Sequence, residues 1–213
     1  MSNFFVIPGD YLSLMEFKIV NRFDKNRVQV ENFIKEKYLN IFNAKIENFP
    51  AILVAIFDQN HVKAACGIRT ELDGFFSEIY LNKDISFYIN ENFSDTGHQK
   101  ILEIINLVSA SPLASIKMNK ELNKFCLDKS FKYTFFTATK SLVRFLTLTG
   151  LDLIKIGKAD INKVSSSNWG TYYENEPYVF LTRVPELTFS VLFKNLRKNY
   201  SNVEFNRLSQ QAL

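Results

Sequence analysis

One pair of apolar segments constrains the fold of this chain more than any other feature. Residues 51–57 and residues 62–68 are both rich in apolar side chains. Residues 58–61 between them supply turn-forming side chains, so the pair predicts a β-hairpin with antiparallel strands. The sheet is therefore expected to be mixed, since a doubly wound parallel sheet needs an even alternation of strands and helices.

The remaining apolar patterns predict helices and strands on both sides of this hairpin. Helical spacing of apolar side chains predicts helices over residues 27–42, 113–130 and 139–148. Short apolar runs predict strands over residues 16–20, 101–108, 131–137, 151–156 and 178–184. We expect residues 1–15 to be irregular and residues 185–200 to form a terminal helix.

This order of elements predicts an α/β (α+β) fold with a mixed, mainly antiparallel central sheet flanked by helices. Residues 1–185 are expected to form one domain. Residues 186–213 are expected to form a C-terminal helical extension packed on it.

Charge and hydropathy exclude several classes of function. The formal net charge of +4 comes from basic side chains spread along the chain, whereas nucleic-acid-binding proteins concentrate them in patches. The first residues lack the pattern of a signal peptide, and no apolar run approaches the ~20 residues that cross a bilayer. Cys66 and Cys126 lie in apolar surroundings typical of reduced core thiols. We therefore expect a cytoplasmic protein that binds no nucleic acid and is not integral to a membrane.

Familiar catalytic motifs are missing from the sequence. It contains no Gly-x-Ser-x-Gly elbow, no Walker loop and no Gly-x-Gly-x-x-Gly fingerprint. His61 and His98 are isolated in turn-like segments, so neither a His-based triad nor a metal site is expected.

Glu103 is the first candidate for a catalytic residue, because it interrupts an apolar strand. An unpaired buried carboxylate has a raised pKa, which suits a general base near neutral pH. Asn106 points to the opposite face of a regular strand, and a β-bulge between the two residues would bring them to one face. The alternative interpretation is a structural carboxylate paired with a buried arginine.

Arg69 and Glu78 are the predicted partners of Glu103. Arg69 directly follows the strand over residues 62–68, where its guanidinium could hold a carboxylate by a two-pronged hydrogen bond. Glu78 lies in a second apolar segment and could complete an Arg–Glu–Glu constellation. A single structural salt bridge is the alternative.

Residues 169–178 form the most aromatic stretch of the sequence. They include the only Trp of the chain, followed by Gly170, and three tyrosines and a proline follow. Large rings next to Gly and Pro indicate a fixed, partly buried turn.

Several segments together resemble the bacterial thermostable hemolysin family, and they span most of residues 27–184 in order. The matching segments are residues 30–34 with Tyr38, residues 64–69, 78–81, 103–107, 136–139 and 159–160, and residues 169–173 with Pro177 and Val179. The fold of that family is similar to the GNAT acyltransferases and especially to the acyl-homoserine-lactone synthases. The resemblance therefore implies a GNAT-like sheet.

The resemblance also implies an N-acyltransferase that moves an acyl group from a thioester to the amine of a small molecule. The thioester, on acyl-CoA or an acyl carrier protein, would be a co-substrate, and no cofactor would be tightly bound. It would lie in a V-shaped opening between two splayed strands, one of them over residues 102–108. Glu103 would take the amine proton, directly or through water, while Arg69 and Glu78 orient the acceptor. The substrate-binding residues would be Asn106, Phe76, Trp169, Tyr172 and Tyr173, with the Trp169–Tyr173 cluster as a wall of the acyl pocket.

The sequence departs from these relatives at two places. The lactone synthases carry Arg three residues after the Glu, where this chain has Asn106, which argues against homoserine-lactone-type recognition. No Gly-rich turn follows residues 109–112, which favours a carrier-protein thioester over CoA. Two other classes stay open: a membrane-perturbing haemolysin, and a GNAT-like binding module without catalysis.

Overall fold

The computed structural model describes residues 9–164 and 168–186. The first elements are the helix α1 (Gly9–Leu14), the strand β1 (Glu16–Val20), the helix α2 (Arg27–Phe42) and the hairpin strands β2 (Ile52–Asp58) and β3 (His61–Arg69). The later elements are α3 (Ile85–Phe93), β4 (Ile101–Ser109), α4 (Pro112–Asp128), β5 (Tyr133–Ala138), α5 (Lys140–Leu148), β6 (Ile154–Lys158) and β7 (Tyr178–Arg183).

The strands form one sheet in the order β1-β2-β3-β4-β5-β7-β6. Every neighbouring pair is antiparallel except β4 and β5, which are parallel. The helix α4 connects these two strands, because a parallel pair needs a crossover connection. The prediction of a mixed, mainly antiparallel sheet flanked by helices is confirmed.

Helices cover both faces of the sheet, which explains why β2 is apolar from Ile52 to Phe57. Leu53 and Ala55 pack in one core cluster with Ile34 of α2. Val54 and Ile56 pack in a second cluster on the opposite face with residues of α4. Along β5, Phe136 packs with α5, whereas its neighbour Phe135 packs with α3. The helices α2 and α3 therefore cover one face, and α4 and α5 cover the other.

Most predicted elements are confirmed, and the differences have local causes. Residues 9–14 are helical where an irregular segment was expected. The helix α3 was not predicted; its start is fixed by Asp84, whose side chain accepts the backbone N–H of Phe87 at 2.9 Å. The strand β6 begins at Ile154 rather than at residue 151, because Leu151 and Leu153 pack against the α5 cluster first.

Other expectations lie partly or wholly outside the described residues. The terminal helix predicted over residues 185–200 falls beyond residue 186, so the division into a domain and an extension stays a prediction.

Cys66 and Cys126 are free, buried thiols, as expected. Within the described part of the chain, no helix combines the length and the apolar character needed to cross a bilayer.

Candidate active site

The strands β4 and β5 separate halfway along β4. Their register pairs residues 101–104 with residues 133–136 and goes no further. Beyond this point β4 stays paired with β3 as far as Ser109, and β5 stays paired with β7 as far as Ala138. Each strand follows its own outer neighbour, so a V-shaped opening forms between them, as the resemblance implies.

A β-bulge lies on β4 at this opening. Ile105 pairs with Gly67 and Val108 pairs with Ala65, so Asn106 and Leu107 together face one residue of β3. Asn106 has a φ of 54°, in the left-handed region that costs a non-glycine residue about 1 kcal/mol. A bulge leaves backbone groups outside the ladder of the sheet. Such free N–H groups can bind an oxygen on which negative charge develops.

A narrow cavity of about 100 Å³ passes through the opening. Tyr38 of α2 and Met118 of α4 lie on opposite faces of the sheet, yet both line it. Its other apolar lining residues include Leu107, Val108, Leu122, Leu142, Phe145 and Leu146. The narrow cavity therefore runs between β4 and β5 and has the apolar lining that an alkyl chain requires.

A second, wide cavity of about 470 Å³ lies beside the first. Among the described residues, charged side chains line this cavity but not the narrow one; they are Lys45, Glu47, Arg69 and Lys163. Phe76 and Trp169 supply aromatic walls. Asn106, the bulge residue, lines both cavities. An apolar site and a charged site thus meet at one point of β4.

Glu103 is fully buried beneath these cavities, and its side chain lines neither of them. Its two carboxylate oxygens accept the backbone N–H groups of Phe76 and Ser77, each at 2.7 Å. Burial is the largest influence on the pKa of Glu103 and raises it. The hydrogen bonds from Ser77 and Phe76 and the charge of Arg69 lower this pKa, but by less. Glu103 therefore anchors the turn that begins at Ser77 to β4.

Two hydroxyl groups connect Glu103 with the narrow cavity. The Ser77 side chain interacts with the Glu103 carboxylate, which lowers the pKa of that carboxyl. Ser77 is buried, and its Oγ lies 2.9 Å from Oγ1 of Thr137 on β5. Thr137 lines the narrow cavity where β5 leaves β4. Sequence reasoning missed both hydroxyls, because neither residue stands out in an apolar pattern.

The predicted Arg–Glu–Glu constellation is not assembled. Arg69 is paired in register with Glu103 on adjacent strands, but its Nη2 donates to the backbone oxygen of Asp73 at 3.1 Å. Backbone N–H groups occupy the Glu103 oxygens that Arg69 was expected to bind by a two-pronged hydrogen bond. Glu78 points elsewhere: its Oε1 accepts the backbone N–H of Ile85 at the start of α3, at 2.8 Å. The roles of Arg69 and Glu78 in orienting an acceptor stay predictions.

The aromatic cluster is divided between the two cavities. Tyr172 is buried and lines the narrow cavity, where its ring meets Phe42 at a centroid distance of 5.2 Å. Trp169 lines the wide cavity and packs on Phe76 at 6.4 Å. The hydroxyl of Tyr173 lies 2.5 Å from that of Tyr80, and Tyr173 lines neither cavity. The resemblance implies that this cluster forms the wall of an acyl pocket. Of the three rings only Tyr172 lines the narrow cavity, and these roles stay predictions.

Gly170 explains how this aromatic turn is fixed. It has a φ of 49°, and a Cβ at this position would lie 2.0 Å from the backbone oxygen of Phe42. The next residue, Thr171, donates its backbone N–H to that same oxygen at 2.8 Å. The turn therefore docks on the C-terminal end of α2, which confirms the fixed, partly buried turn predicted from the sequence.

The sheet with its single parallel pair is a GNAT-like fold of the kind found in acyl-transferring synthases. The chain belongs to the thermostable hemolysin family, whose sequence model matches residues 20–187. None of the curated proteins matches the chain.

Three solved structures illustrate the likeness in fold. The AHL synthase LasI has a TM-score of 0.57 and 12% identity, covering 84% of this chain and 95% of LasI. FeeM, an N-acyl amino acid synthase from uncultured soil microbes, has a TM-score of 0.57 and 12% identity, covering 81% and 92%. BjaI, a CoA-dependent acyl-homoserine lactone synthase with SAM and isopentyl-CoA, has a TM-score of 0.51 and 9% identity, covering 86% and 90%.

Proposed function

We propose that this protein is an N-acyltransferase that moves an acyl group from an acyl thioester to the amine of a small molecule. The observation that carries the proposal is that Asn106, in the bulge of β4, lines both the narrow apolar cavity and the wide charged cavity. A reaction between an alkyl thioester and a polar amine needs two such sites that meet at one point. The names of the fold neighbours support it: LasI is an AHL synthase, FeeM is an N-acyl amino acid synthase, and the BjaI structure contains isopentyl-CoA.

In this proposal the acyl chain occupies the narrow cavity, and its carbonyl oxygen binds the free N–H groups of the bulge. The amine nitrogen forms a bond to the carbonyl carbon, the C–S bond breaks, and the thiol leaves with a proton. No covalent intermediate on the protein is needed. Donors aimed at the developing oxyanion contribute about 3 kcal/mol each in other acyl-transfer enzymes.

The amine proton reaches Glu103 through the hydroxyls of Thr137 and Ser77. An ionised carboxylate only accepts hydrogen bonds, so Ser77 directs its single hydroxyl proton to Glu103. Thr137 then donates to Ser77 Oγ and keeps a lone pair for the amine. Burial raises the pKa of Glu103 towards the range that suits a general base. Glu103 is thus the base, acting through two hydroxyls, and the proton it gains finally passes to the leaving thiolate.

The proposal is tested by thiol release. Purified protein is incubated with acyl-CoA and acyl-carrier thioesters of several lengths, with and without a panel of amines. We expect thiol release that depends on the amine and a product that contains both the acyl group and the amine. Glu103→Gln should release thiol more slowly. Glu174→Gln, at an exposed position away from both cavities, is the matched control. A folded protein that releases no thiol across the panel, or only hydrolyses thioesters, would refute the proposal.

The family description supports a second candidate, direct perturbation of membranes. Red cells or liposomes exposed to the protein alone distinguish the two. Lysis that is undiminished in Glu103→Gln would favour direct action, whereas lysis that requires a thioester and an amine would come from an acylated product with detergent character. A GNAT-like binding module, in contrast, would bind a thioester without releasing thiol.

A further inference from the structure

One charged side chain of the wide cavity, that of Arg69, forms no ion pair with a described carboxylate. The Nε atom of Arg69 is buried and has no hydrogen-bond partner among the described residues. No carboxylate in that part of the chain lies within 4.0 Å of its guanidinium; the ion pairs found there join other residues. More than nine-tenths of buried polar groups in folded proteins are satisfied, and a charged group left unpaired is costly. Arg69 also lines the wide cavity, so a guanidinium without a carboxylate partner borders space that a ligand can enter.

The surroundings of Arg69 specify the charge of that ligand. Lys45 and Lys163 line the same cavity, against the single carboxylate of Glu47. Lys163 donates to the backbone oxygen of Tyr80 at 3.2 Å, which leaves its charge uncompensated. Glu47 accepts from the side chain of Asn168 at 3.4 Å. Among the described lining residues, three cations against one anion give the cavity a positive potential that concentrates anions.

The shape of the guanidinium narrows the ligand further. Within the described ranges, the guanidinium of Arg69 makes one hydrogen bond to the protein, from Nη2 to the backbone oxygen of Asp73. A guanidinium presents pairs of parallel N–H groups, which match the two oxygens of a carboxylate. A lysine at this position could not offer this planar pair.

The register of the sheet relates this anion site to the reacting centre. Arg69 pairs with Glu103, three residues from Asn106 and so roughly 10 Å along β4. An arginine side chain is long enough to cover much of that distance, and Arg69 and Asn106 line the same cavity. The anionic group and the reacting amine of one molecule must then lie only a few bonds apart, as they do in an α-amino acid.

We propose that the wide cavity binds an acceptor whose amine stands close to a carboxylate, an α-amino acid or its derivative, and that Arg69 holds this carboxylate. Arg69 is then a substrate-binding residue that selects against amines without an acidic group. This inference deepens the proposed acyl transfer and rests on it, but the binding of the carboxylate is measurable without any acyl donor.

The binding test uses the common α-amino acids, each compared with its decarboxylated amine and its carboxamide. We expect at least one amino acid to raise the Tm of the full chain, while its amine and amide do not. Arg69→Gln should weaken the binding of that amino acid roughly 30-fold or more, which is the cost of removing one partner of a buried, hydrogen-bonded charge pair. Arg69→Lys keeps the charge without the planar pair of N–H groups. Its affinity for the amino acid should lie between those of the parent and Arg69→Gln. Arg144→Gln, on α5 and outside both cavities, should bind like the parent.

The acyl-transfer assay separates this inference from the proposed function. One outcome is thiol release that is equally fast with an amino acid and with its decarboxylated amine, both in the parent and in folded Arg69→Gln. That result would overturn the carboxylate site and leave acyl transfer standing. Binding of an amino acid that depends on Arg69, with no thiol release from any donor, would support the site and refute acyl transfer. Amino acids that bind equally well to parent and Arg69→Gln would overturn the site regardless of activity.

Discussion

Oε1 of Glu103 accepts the backbone N–H of Ser77 at 2.7 Å, and the Ser77 hydroxyl in turn lies 2.9 Å from Thr137. Glu103 therefore holds a turn on β4 through two backbone N–H groups, and the Ser77 side chain begins a chain of polar groups that ends at the narrow cavity. The same carboxylate has a structural task and, in the proposed reaction, a chemical one. Variants must therefore be measured for stability and for activity separately.

Glu103 should make the protein less stable as the pH rises. Its folded-state pKa is raised above the ordinary value of 4.5 because the side chain is buried. Below pH 4.5 the carboxyl is protonated in the folded and the unfolded chain alike, so it costs nothing. As the pH rises through the raised pKa, the folded protein must bury a charge that the unfolded chain exposes to water, and the free energy of unfolding falls. Urea titrations of parent and Glu103→Gln over this pH range measure the difference.

Asp95 supplies a control of opposite sign for this measurement. Hydrogen bonds from Lys132 and Tyr133 lower the pKa of Asp95 to about 2. Its stabilising contribution is present above pH 3.8 and is lost as the pH falls towards 2. The parent should therefore lose stability as the pH falls below 3.8. Asp95→Asn should no longer show this loss, whereas Glu103→Gln should still show it. If both variants changed the same limb of the profile, the assignment of the raised pKa to Glu103 would be wrong.

The hydroxyl of Thr137 should matter for the rate more than for the fold. Thr137→Val preserves the shape of the side chain but interrupts the path from the narrow cavity to Ser77. We expect kcat for acyl transfer to fall by about 100-fold, the lower end of what a positioned proton acceptor contributes. Thr137→Ser restores the hydroxyl and should restore most of the rate. Single-turnover thiol release across a pH series measures both variants.

A merely structural role for Thr137 predicts a different result. In that case Thr137→Val would lower the rate and the free energy of unfolding together, and the pH dependence of kcat would be unchanged. Thr147→Val on α5, an exposed position outside both cavities, is the matched control for this substitution.

The sequence predicted much of the sheet because apolar runs and helical spacing are local signals. The hairpin of β2 and β3 and the helix α2 follow directly from them. The unusual place of Glu103 was also visible, since a carboxylate in an apolar strand must find a partner. A bulge was expected between Glu103 and Asn106, whereas the structure pairs β4 regularly as far as Ile105 and places the bulge at Asn106 and Leu107.

The partners themselves could not be predicted, because they come from distant parts of the chain. Ser77 and Thr137 are 60 residues apart in sequence, and only the tertiary fold brings their hydroxyls together. Arg69 was assigned to Glu103 on its charge and on its position directly after an apolar strand. Backbone N–H groups, which every residue except proline carries and no sequence pattern marks, hold that carboxylate instead.

Gly170→Ala should destabilise the protein more than an equivalent change elsewhere. A Cβ at this position would meet the Phe42 oxygen at 2.0 Å, so the turn must move off the end of α2. Gly74→Ala is the matched control: Gly74 also has a positive φ, of 67°, but a Cβ added there would meet nothing within 4 Å. Both variants incur about 1 to 2 kcal/mol for the left-handed backbone. We expect a further cost of about 1 to 3 kcal/mol, that of overpacking, for Gly170→Ala alone.

Chemical denaturation in urea measures these two variants, and thioester binding gives a second readout. Movement of the turn displaces Tyr172, which lines the narrow cavity. Gly170→Ala should therefore also weaken the binding of long-chain thioesters, and Gly74→Ala should not. Equal destabilisation of the two variants would show that the contact with Phe42 yields at little cost.

Met118 should set the length of acyl chain that the narrow cavity accepts. Its side chain is buried on α4 and lines that cavity. Met118→Phe fills the space and should shift the preferred acyl donor to shorter chains. Met118→Ala enlarges it and should shift the preference to longer chains, at a cost of about 2 to 5 kcal/mol in the free energy of unfolding. Rates of thiol release over a series of acyl lengths measure the shift.

Met15→Ala separates chain-length selection from general loss of packing. Met15 is buried in the same core cluster as Met118 but does not line the narrow cavity. Its truncation should destabilise the protein by a similar amount and leave the preferred acyl length unchanged. If the length preference moved with Met15→Ala as it does with Met118→Ala, selection would follow from the overall stability of the core. The cavity between β4 and β5 would then not determine which acyl length the protein prefers.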